Sequence, residues 1–186
     1  MTGTGTSGKT VVLGITGSIA AYKAGDIVSG LIKLGCDVHV IMTGAAAKFI
    51  TPLTFQTLSR NKVYVDMFEE IAYNDVRHIS LAQRADCFVI APATANIIGK
   101  LCAGIADDML SAVVMAVNAE ETPVIICPAM NTAMYENKIT QDNITKLRNY
   151  GYRFVDPKES RLACGDVGKG ALADAAVIIS EIEAAL

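Results

Sequence analysis

The 186-residue sequence has no tryptophan, only two histidines, and five cysteines that stand far apart without a CxxC pair. This spacing does not fit a zinc site or a disulfide framework, and we therefore expect no metal centre. Thiols without evident partners are typical of a reducing compartment, so we expect a cytoplasmic protein. The amino terminus also lacks the basic and then apolar pattern of a secretion signal.

An excess of positive charge is also missing, since sixteen basic and nineteen acidic residues leave a net charge of −3. We expect neither a nucleic acid nor an anionic membrane as partner, because each needs a concentrated basic face. No apolar run reaches the roughly 18 residues of a transmembrane helix, although 52% of the residues are hydrophobic. This composition indicates a sheet covered on both faces, or a surface buried between subunits.

One string near the start, GTGTSGKT at residues 3–10, satisfies the phosphate-loop pattern. Such a loop must follow a strand and open a helix, so that amides and helix dipole converge on phosphate. Here only two residues precede it, and residues 10–16 are rich in the β-branched residues of a strand. We therefore interpret residues 1–9 as a disordered leader and expect the phosphate site further along.

Strand-like and helical patterns alternate through residues 10–186. Strands are predicted at 11–16, 37–43, 63–68, 87–91, 123–127 and 152–155, and helices at 18–34, 44–60, 79–85, 96–118, 141–150 and 173–185. This order predicts a single α/β domain with a three-layer, doubly wound and mostly parallel sheet of the Rossmann or flavodoxin-like kind. The Gly-rich, charged stretch 156–172 is long for a loop, and we expect a flexible flap there.

Ligands of such sheets bind beyond the carboxyl ends of the strands. Gly17 and Ser18 follow the first strand, where they suit either a phosphate or an ordinary helix N-cap. The turn is not GxGxxG, and the second strand ends in Thr43 instead of an acid, so a mononucleotide fits better than a dinucleotide. APATAN at 91–96 and PAMNTAM at 128–134 follow two further strands. Three polar turns at one edge favour a binding site over ordinary turn chemistry.

The two histidines lie in different settings. His39 lies within the second predicted strand, which favours a packed residue. His78 opens a helical pattern, where a surface position and a functional one are equally compatible with the sequence.

Five motifs together, GSIAAYK, His78 before a helix, APATAN, PAMNTAMY and ACGDVGKG, resemble those of the homo-oligomeric, flavin-containing cysteine decarboxylases. The resemblance runs in order from about residue 10 to residue 186. It implies FMN as the cofactor, with its phosphate at Gly17, Ser18 and Thr43. The residues that it implies for the flavin ring are Phe49, Thr94, Ala95, Asn96 and Ala133.

The same resemblance implies two catalytic residues, His78 and Cys164. Asn131 matches the asparagine that binds the substrate carboxylate, and Met134 is its neighbour in the motif. Ala163 and Gly165 flank the cysteine on the substrate-covering flap. We expect Cys164 to be the proton donor, because a thiol with an ordinary pKa of about 8.5 is largely protonated at neutral pH.

The activity implied is the FMN-dependent decarboxylation of 4'-phosphopantothenoylcysteine to 4'-phosphopantetheine in coenzyme A synthesis. It proceeds through oxidation to a thioaldehyde, loss of CO2 to an enethiol, and re-reduction. Members of this family form trimers or multiples of trimers, with active sites shared between subunits.

Alternatives within and outside the family remain open. Peptidyl-cysteine decarboxylases resemble the chain in the His and PAMN motifs but lack the ACGD flap. Flavin prenyltransferases share the fold but not PAMN with ACGD. A non-catalytic flavoprotein, either a regulatory subunit or an electron carrier, would have no need of His78 and Cys164.

Overall fold

The structure is a computed structural model that describes residues 5–68, 77–161, 165 and 167–186. Its centre is a six-stranded parallel sheet with the strand order β3-β2-β1-β4-β5-β6. The strands are β1 Thr10–Ile15, β2 Asp37–Met42, β3 Val63–Tyr64, β4 Cys87–Ala93, β5 Val124–Pro128 and β6 Arg153–Phe154. Chain order reverses between β1 and β4, which opens a crevice at the carboxyl ends of these two strands.

Helices cover both faces of the sheet. The first face carries α1 Ala24–Lys33, α2 Pro52–Ser59 and α8 Ala175–Ala185, and the second carries α3 Arg77–Arg84, α4 Ala95–Ala103, α5 Met109–Ala116 and α7 Lys138–Asn149. A short helix, α6 Thr132–Tyr135, follows β5, and 3₁₀ turns occupy Ile19–Lys23 and Ala46–Lys48. Side chains of β1, β2, β4 and β5 alternate between the two apolar cores, which is why these strands are almost continuously apolar. The predicted three-layer, doubly wound fold is confirmed.

The single helix predicted at 96–118 is wrong, because the chain forms α4 and α5 there. Gly104 ends α4 in the left-handed conformation, with φ 70°. Asp108 then begins α5 with a capping box: its side chain accepts from the Ser111 amide, and the Ser111 hydroxyl accepts from the Asp108 amide. The apolar spacing continues across the break, but its local capping residues stop one helix and start the next.

The segment expected to be a flap contains an antiparallel hairpin of β7 Lys158–Arg161 and β8 Val167–Ala171. Residues 162–164 and 166, which lie between these strands, are outside the described residues.

The GTGTSGKT string does not open a helix. Residues 5–8 form a turn at the amino end of β1, at the edge of the sheet opposite the crevice. The Gly8 amide donates to Gly35 O at 2.9 Å, and Lys9 Nζ lies 2.9 Å from Asp86 Oδ1. Thr6 is buried there, so the described part of the expected leader is packed on the domain.

Neither a membrane-spanning helix nor a metal-binding cluster occurs among the described residues. No helix among them is both long and apolar enough to cross a membrane. Within the same residues, histidine, cysteine and acidic side chains do not gather in groups that could hold a metal ion.

Candidate functional site

A hydroxyl at the crevice ties the ends of β1 and β4 together. Thr16, only 2% exposed, donates its Oγ1 hydrogen to Pro92 O at 2.7 Å and accepts from the Thr94 amide at 3.0 Å. These two bonds fix the turn after β1 beside the turn after β4. Sequence reasoning missed Thr16, although a buried polar residue at the end of an apolar strand is a usable signal.

Two clefts open at this edge of the sheet. The larger cleft, of about 590 Å³, lies between the Gly17–Lys23 segment, the Ala129–Met134 segment and the β7–β8 hairpin. The smaller cleft, of about 460 Å³, lies between the turns after β1, β2 and β4 and includes Lys100 and Asp108. Gly17, Thr94 and Met134 line both clefts. Their volumes are those of small-molecule sites.

A glycine permits the close approach of two loops at the smaller cleft. A Cβ atom on Gly17 would lie 2.5 Å from the Ala45 Cβ, a distance that real side chains do not adopt. Any larger residue at position 17 would therefore push the β1 turn away from the β2 turn. The cradle that remains brings Gly17, Thr43 and Gly44 onto one cleft, which suits a phosphorylated ligand such as FMN.

Three hydroxyl residues at the clefts accept from backbone amides, and two of them, Ser18 and Thr94, are helix N-caps. Ser18 Oγ accepts from the Ala20 amide, Thr43 Oγ1 from the Ala46 amide, and Thr94 Oγ1 from the Ile97 amide. Ser18 is therefore an N-cap, which was one of its two interpretations from the sequence. Each of these bonds uses the hydroxyl oxygen as an acceptor, so the O–H hydrogen is not consumed by it. These residues can accept from a backbone amide and donate to a ligand at the same time.

The β7–β8 hairpin is held on the turn that carries Asn131. The Met130 amide donates to Gly170 O at 2.9 Å, and a Cβ on Gly170 would lie 2.3 Å from Met130 O. Lys158 pairs with Asp174 at the base of the hairpin. Asn131 Oδ1 in turn accepts from the Ala133 amide at 2.9 Å, which orients the Asn131 side chain.

The larger cleft is suited to an anion. Its lining residues in the described part of the chain include two cations, Lys23 and Arg161, and no carboxylate. Asn131 adds an amide group to the same lining. A small molecule with negative groups matches this lining better than a cation does.

The smaller cleft has a different electrostatic character, because Lys100 is bonded there to Asp107 and Asp108. These two hydrogen bonds raise the pKa of Lys100 above its usual range. Burial alone would raise the pKa of Asp108, but hydrogen bonds from Lys100 and Ser111 outweigh it and lower that pKa. Lys100 and Asp108 are therefore both charged at neutral pH.

The structure brings most of the predicted site residues to the two clefts. Gly17, Ser18, Thr94, Asn131 and Met134 line the larger cleft, and Thr43, Ala95 and Asn96 line the smaller one. Phe49, 52% exposed, and Ala133, also exposed, line neither cleft.

The predicted flap and catalytic residues are placed less completely. Gly165 is exposed, with φ +96°. His78 lies in the first turn of α3, and its side chain is outside the described residues, as are Ala163 and Cys164.

The lining residues that were missed from the sequence include Tyr22, Lys23, Lys100, Asp108 and Arg161. Lys23 belongs to the GSIAAYK motif and Arg161 stands two residues before the ACGD motif, so both lay within or beside recognised motifs. Asp108 stands at the break between α4 and α5 and bonds Lys100 of α4, and the predicted single helix concealed this arrangement.

Comparison with known proteins relates the chain to flavoproteins and to proteins of coenzyme A biosynthesis. The profile of the family described as Flavoprotein matches residues 2–186. The chain is 51% identical to a probable phosphopantothenoylcysteine decarboxylase of Streptococcus mutans, over 94% of this chain and 97% of the relative. It is 47% identical to the coenzyme A biosynthesis bifunctional protein CoaBC of Bacillus subtilis, of which it spans only 42%.

Solved structures agree at the level of the fold. A PPC decarboxylase mutant complexed with pantothenoylaminoethenethiol superposes with a TM-score of 0.85 at 31% identity, over 95% of this chain and 97% of that one. The FMN-dependent cysteine decarboxylase SpaF superposes with a TM-score of 0.84, also at 31% identity, over 97% and 96% of the two chains.

Proposed function

The chain belongs to the flavoprotein family, and from this premise we propose that it is an FMN-dependent decarboxylase. It converts 4'-phosphopantothenoylcysteine to 4'-phosphopantetheine and CO2, a step of coenzyme A synthesis. The observation that carries the proposal is the pair of clefts that meet at Gly17, Thr94 and Met134, one suited to a mononucleotide and the other to an anionic substrate.

FMN is assigned to the edge shared by the two clefts. Gly17, Ser18 and Thr43 would hold its phosphate, since the Gly17 cradle and the hydroxyls of Ser18 and Thr43 belong to the turns that line these clefts. Phe49, Ala133 and the Thr94–Ala95–Asn96 segment would contact the ring. When bound, the flavin supplies the two-electron oxidation without which a cysteine carboxylate has no electron sink for loss of CO2.

The substrate is assigned to the larger cleft. Asn131 would donate its NH2 group to the substrate carboxylate, because its Oδ1 is already turned toward the Ala133 amide. Lys23 and Arg161 provide positive charge for the phosphate at the other end of the substrate. Met134 lines both clefts, so only its flexible thioether side chain would stand between the substrate and the cofactor.

Cys164, with Ala163 and Gly165 on either side of it, would close over the reacting end of the substrate. Its Sγ proton would be delivered to carbon once CO2 has left, and His78 would be the second catalytic residue. The β7–β8 hairpin supports this role, because its bond to Met130 fixes the two strands that lead into and out of the 162–166 segment.

We further propose a homotrimer, or a multiple of trimers, with active sites at subunit interfaces. Phe49, Leu53 and Met134 are large apolar side chains that are at least half exposed, and Met134 lines both clefts. Exposed apolar groups beside a binding site are a common mark of a subunit interface. A cytoplasmic location is also proposed, in line with the free thiols of Cys36, Cys87, Cys102 and Cys127.

The decisive experiment is anaerobic incubation of the flavin-loaded protein with 4'-phosphopantothenoylcysteine while CO2, 4'-phosphopantetheine and flavin absorbance are followed. We expect stoichiometric release of CO2 and of the reduced product. A peptide with a carboxyl-terminal cysteine is the matched substrate control and should be inert. CO2 release from the peptide alone would identify a peptidyl-cysteine decarboxylase, and release from neither substrate would refute the decarboxylase assignment.

A further inference from the structure

The side chain of Lys100 is the one cationic group among the described residues that line the smaller cleft. It is only 17% exposed, and its Nζ lies 2.6 Å from Asp107 Oδ1 and 2.8 Å from Asp108 Oδ2. An ammonium group has three N–H bonds, and these two carboxylates account for two of them. An ammonium group that is largely shielded from water is costly to keep there unless it has anionic partners.

The two carboxylates that bond Lys100 differ in their exposure and in how firmly their own side chains are fixed. Asp108 is 26% exposed, and its Oδ1 accepts from the Ser111 amide at 2.8 Å and from the Ser111 hydroxyl at 2.9 Å. Ser111 is completely buried, so the start of α5 fixes Asp108 in place. Asp107 is 58% exposed and stands in the segment between α4 and α5. Asp108 is therefore the fixed partner of Lys100, and Asp107 is the partner that water or another anion can replace.

The same cleft is lined by Gly17 and Thr43, which belong to the two turns assigned above to the phosphate of FMN. A phosphate in this cleft and Asp107 would compete for the same ammonium. The phosphate offers a higher negative charge and three acceptor oxygens, which favours it over one exposed carboxylate.

We propose that Lys100 is a cofactor-binding residue that recognises the phosphate of FMN, oriented by Asp108 and shared with Asp107 when no phosphate is bound. The inference rests on the proposed function, since it presupposes that FMN is the cofactor. It adds a cation to a phosphate site that otherwise depends on backbone and hydroxyl groups. It also gives the Lys100–Asp107–Asp108 cluster a role beyond joining α4 to α5.

The test compares FMN with riboflavin, which has the same ring and ribityl chain but no phosphate. Affinities are measured by quenching of flavin fluorescence with the full chain stripped of flavin. In Lys100→Met we expect FMN affinity to fall by about tenfold or more, while riboflavin affinity stays unchanged. Lys100→Arg, which keeps the charge, should retain most of the preference for FMN. Lys33→Met, an exposed lysine in the last turn of α1 at the opposite edge of the sheet, is the charge-matched control.

Equal losses of FMN and riboflavin affinity in Lys100→Met would overturn the inference, because they would show a structural role only. Should Lys100→Met fail to fold by circular dichroism, Asp107→Asn decides the question, since it keeps Lys100 and its Asp108 bond. There FMN affinity should rise by about two- to fivefold with no change for riboflavin, and an unchanged ratio would overturn the proposal. A wild-type protein that binds neither flavin would refute the proposed function itself, whereas an FMN preference that persists without Lys100 would refute this inference alone.

Discussion

At the scale of single residues, the most specific role in the proposed reaction is that of Cys164 as the proton donor. In Cys164→Ser we expect CO2 to be released but the reaction to stall at the oxidised enethiol, because a hydroxyl is a much weaker acid than a thiol. Mass spectrometry of the product separates the enethiol from 4'-phosphopantetheine, which differs from it by two hydrogens. Cys102→Ser, a half-buried thiol on α4, is the matched control and should turn over normally. Normal 4'-phosphopantetheine formation by Cys164→Ser would contradict the assigned role.

The cleft residues differ in how well they could be predicted from the sequence. Gly17, Thr94 and Asn131 could be predicted because they follow strands, and the carboxyl ends of parallel strands meet at one edge. The bonds of Thr16 could not be predicted, because they join elements far apart along the chain. The Lys100–Asp108 pair was missed because a single helix was predicted across the break between α4 and α5. The Thr16 hydroxyl bonds Pro92 O across 76 positions of sequence. Such a pairing leaves no local pattern.

At the scale of elements, the β7–β8 hairpin shows why local patterns fail. Its strands, KESR and VGKGA, have no apolar alternation, so residues 156–172 were predicted as a loop. The hairpin forms because β8 packs on α6 and because Gly170 allows its backbone to bond Met130. Tertiary contact overrides weak propensity here. The helix predicted at 18–34 begins with the 3₁₀ turn Ile19–Lys23 and continues as α1, whereas the one predicted at 44–60 is a separate 3₁₀ turn, Ala46–Lys48, followed by α2 from Pro52.

The hairpin also gives a prediction about substrate binding. Gly170→Ala would place a Cβ 2.3 Å from Met130 O, a backbone atom that cannot move aside on its own. The hairpin must then shift away from the Asn131 turn, and we expect KM for the substrate to rise by about tenfold, since a displacement of this kind costs about as much as a lost hydrogen bond. FMN affinity should change little, because Gly170 lines only the larger cleft. Val167→Ala, an exposed position on the same strand, is the control. A normal KM in Gly170→Ala would show that the hairpin does not position the substrate.

At the scale of the whole molecule, the carboxyl and amino edges of the sheet have different roles. The carboxyl edge carries both clefts, and the amino edge carries the polar contacts that fasten the chain ahead of β1 to the domain. At that amino edge Asp86 accepts from the Thr10 amide at 2.8 Å and from Lys9 Nζ at 2.9 Å. The GTGTSGKT string therefore contributes to the stability of the fold. Its lysine, Lys9, pairs with Asp86 at the edge of the sheet far from the crevice. Changes at Asp86 should thus affect stability and leave the site intact.

The pKa of Asp86 sets the pH dependence of this stability. The Thr10 amide bond, followed by the Lys9 pair, outweighs burial and lowers the pKa of Asp86 below its ordinary 3.8. A carboxylate with a lowered folded-state pKa stabilises the fold fully above its unfolded pKa, and that contribution is lost as pH falls through the folded pKa. Asp86→Asn should therefore lower the free energy of unfolding at pH 7, and the difference from wild type should shrink below about pH 4. Urea unfolding at pH 7 and pH 3 measures both values.

Asp142→Asn, an exposed acid on α7, is the charge-matched control for that comparison. If Asp86→Asn lost equal stability at pH 7 and pH 3, the loss would come from packing or hydrogen bonding that is independent of charge. FMN and substrate affinities of Asp86→Asn at pH 7 should match those of wild type, because Asp86 and the clefts lie at opposite edges of the sheet. A loss of cofactor affinity in this variant would mean that the two edges are coupled through β1, whose first residue bonds Asp86 and whose carboxyl end leads into Gly17. Stability and binding measured on the same variant thus separate the role of the amino edge from that of the site.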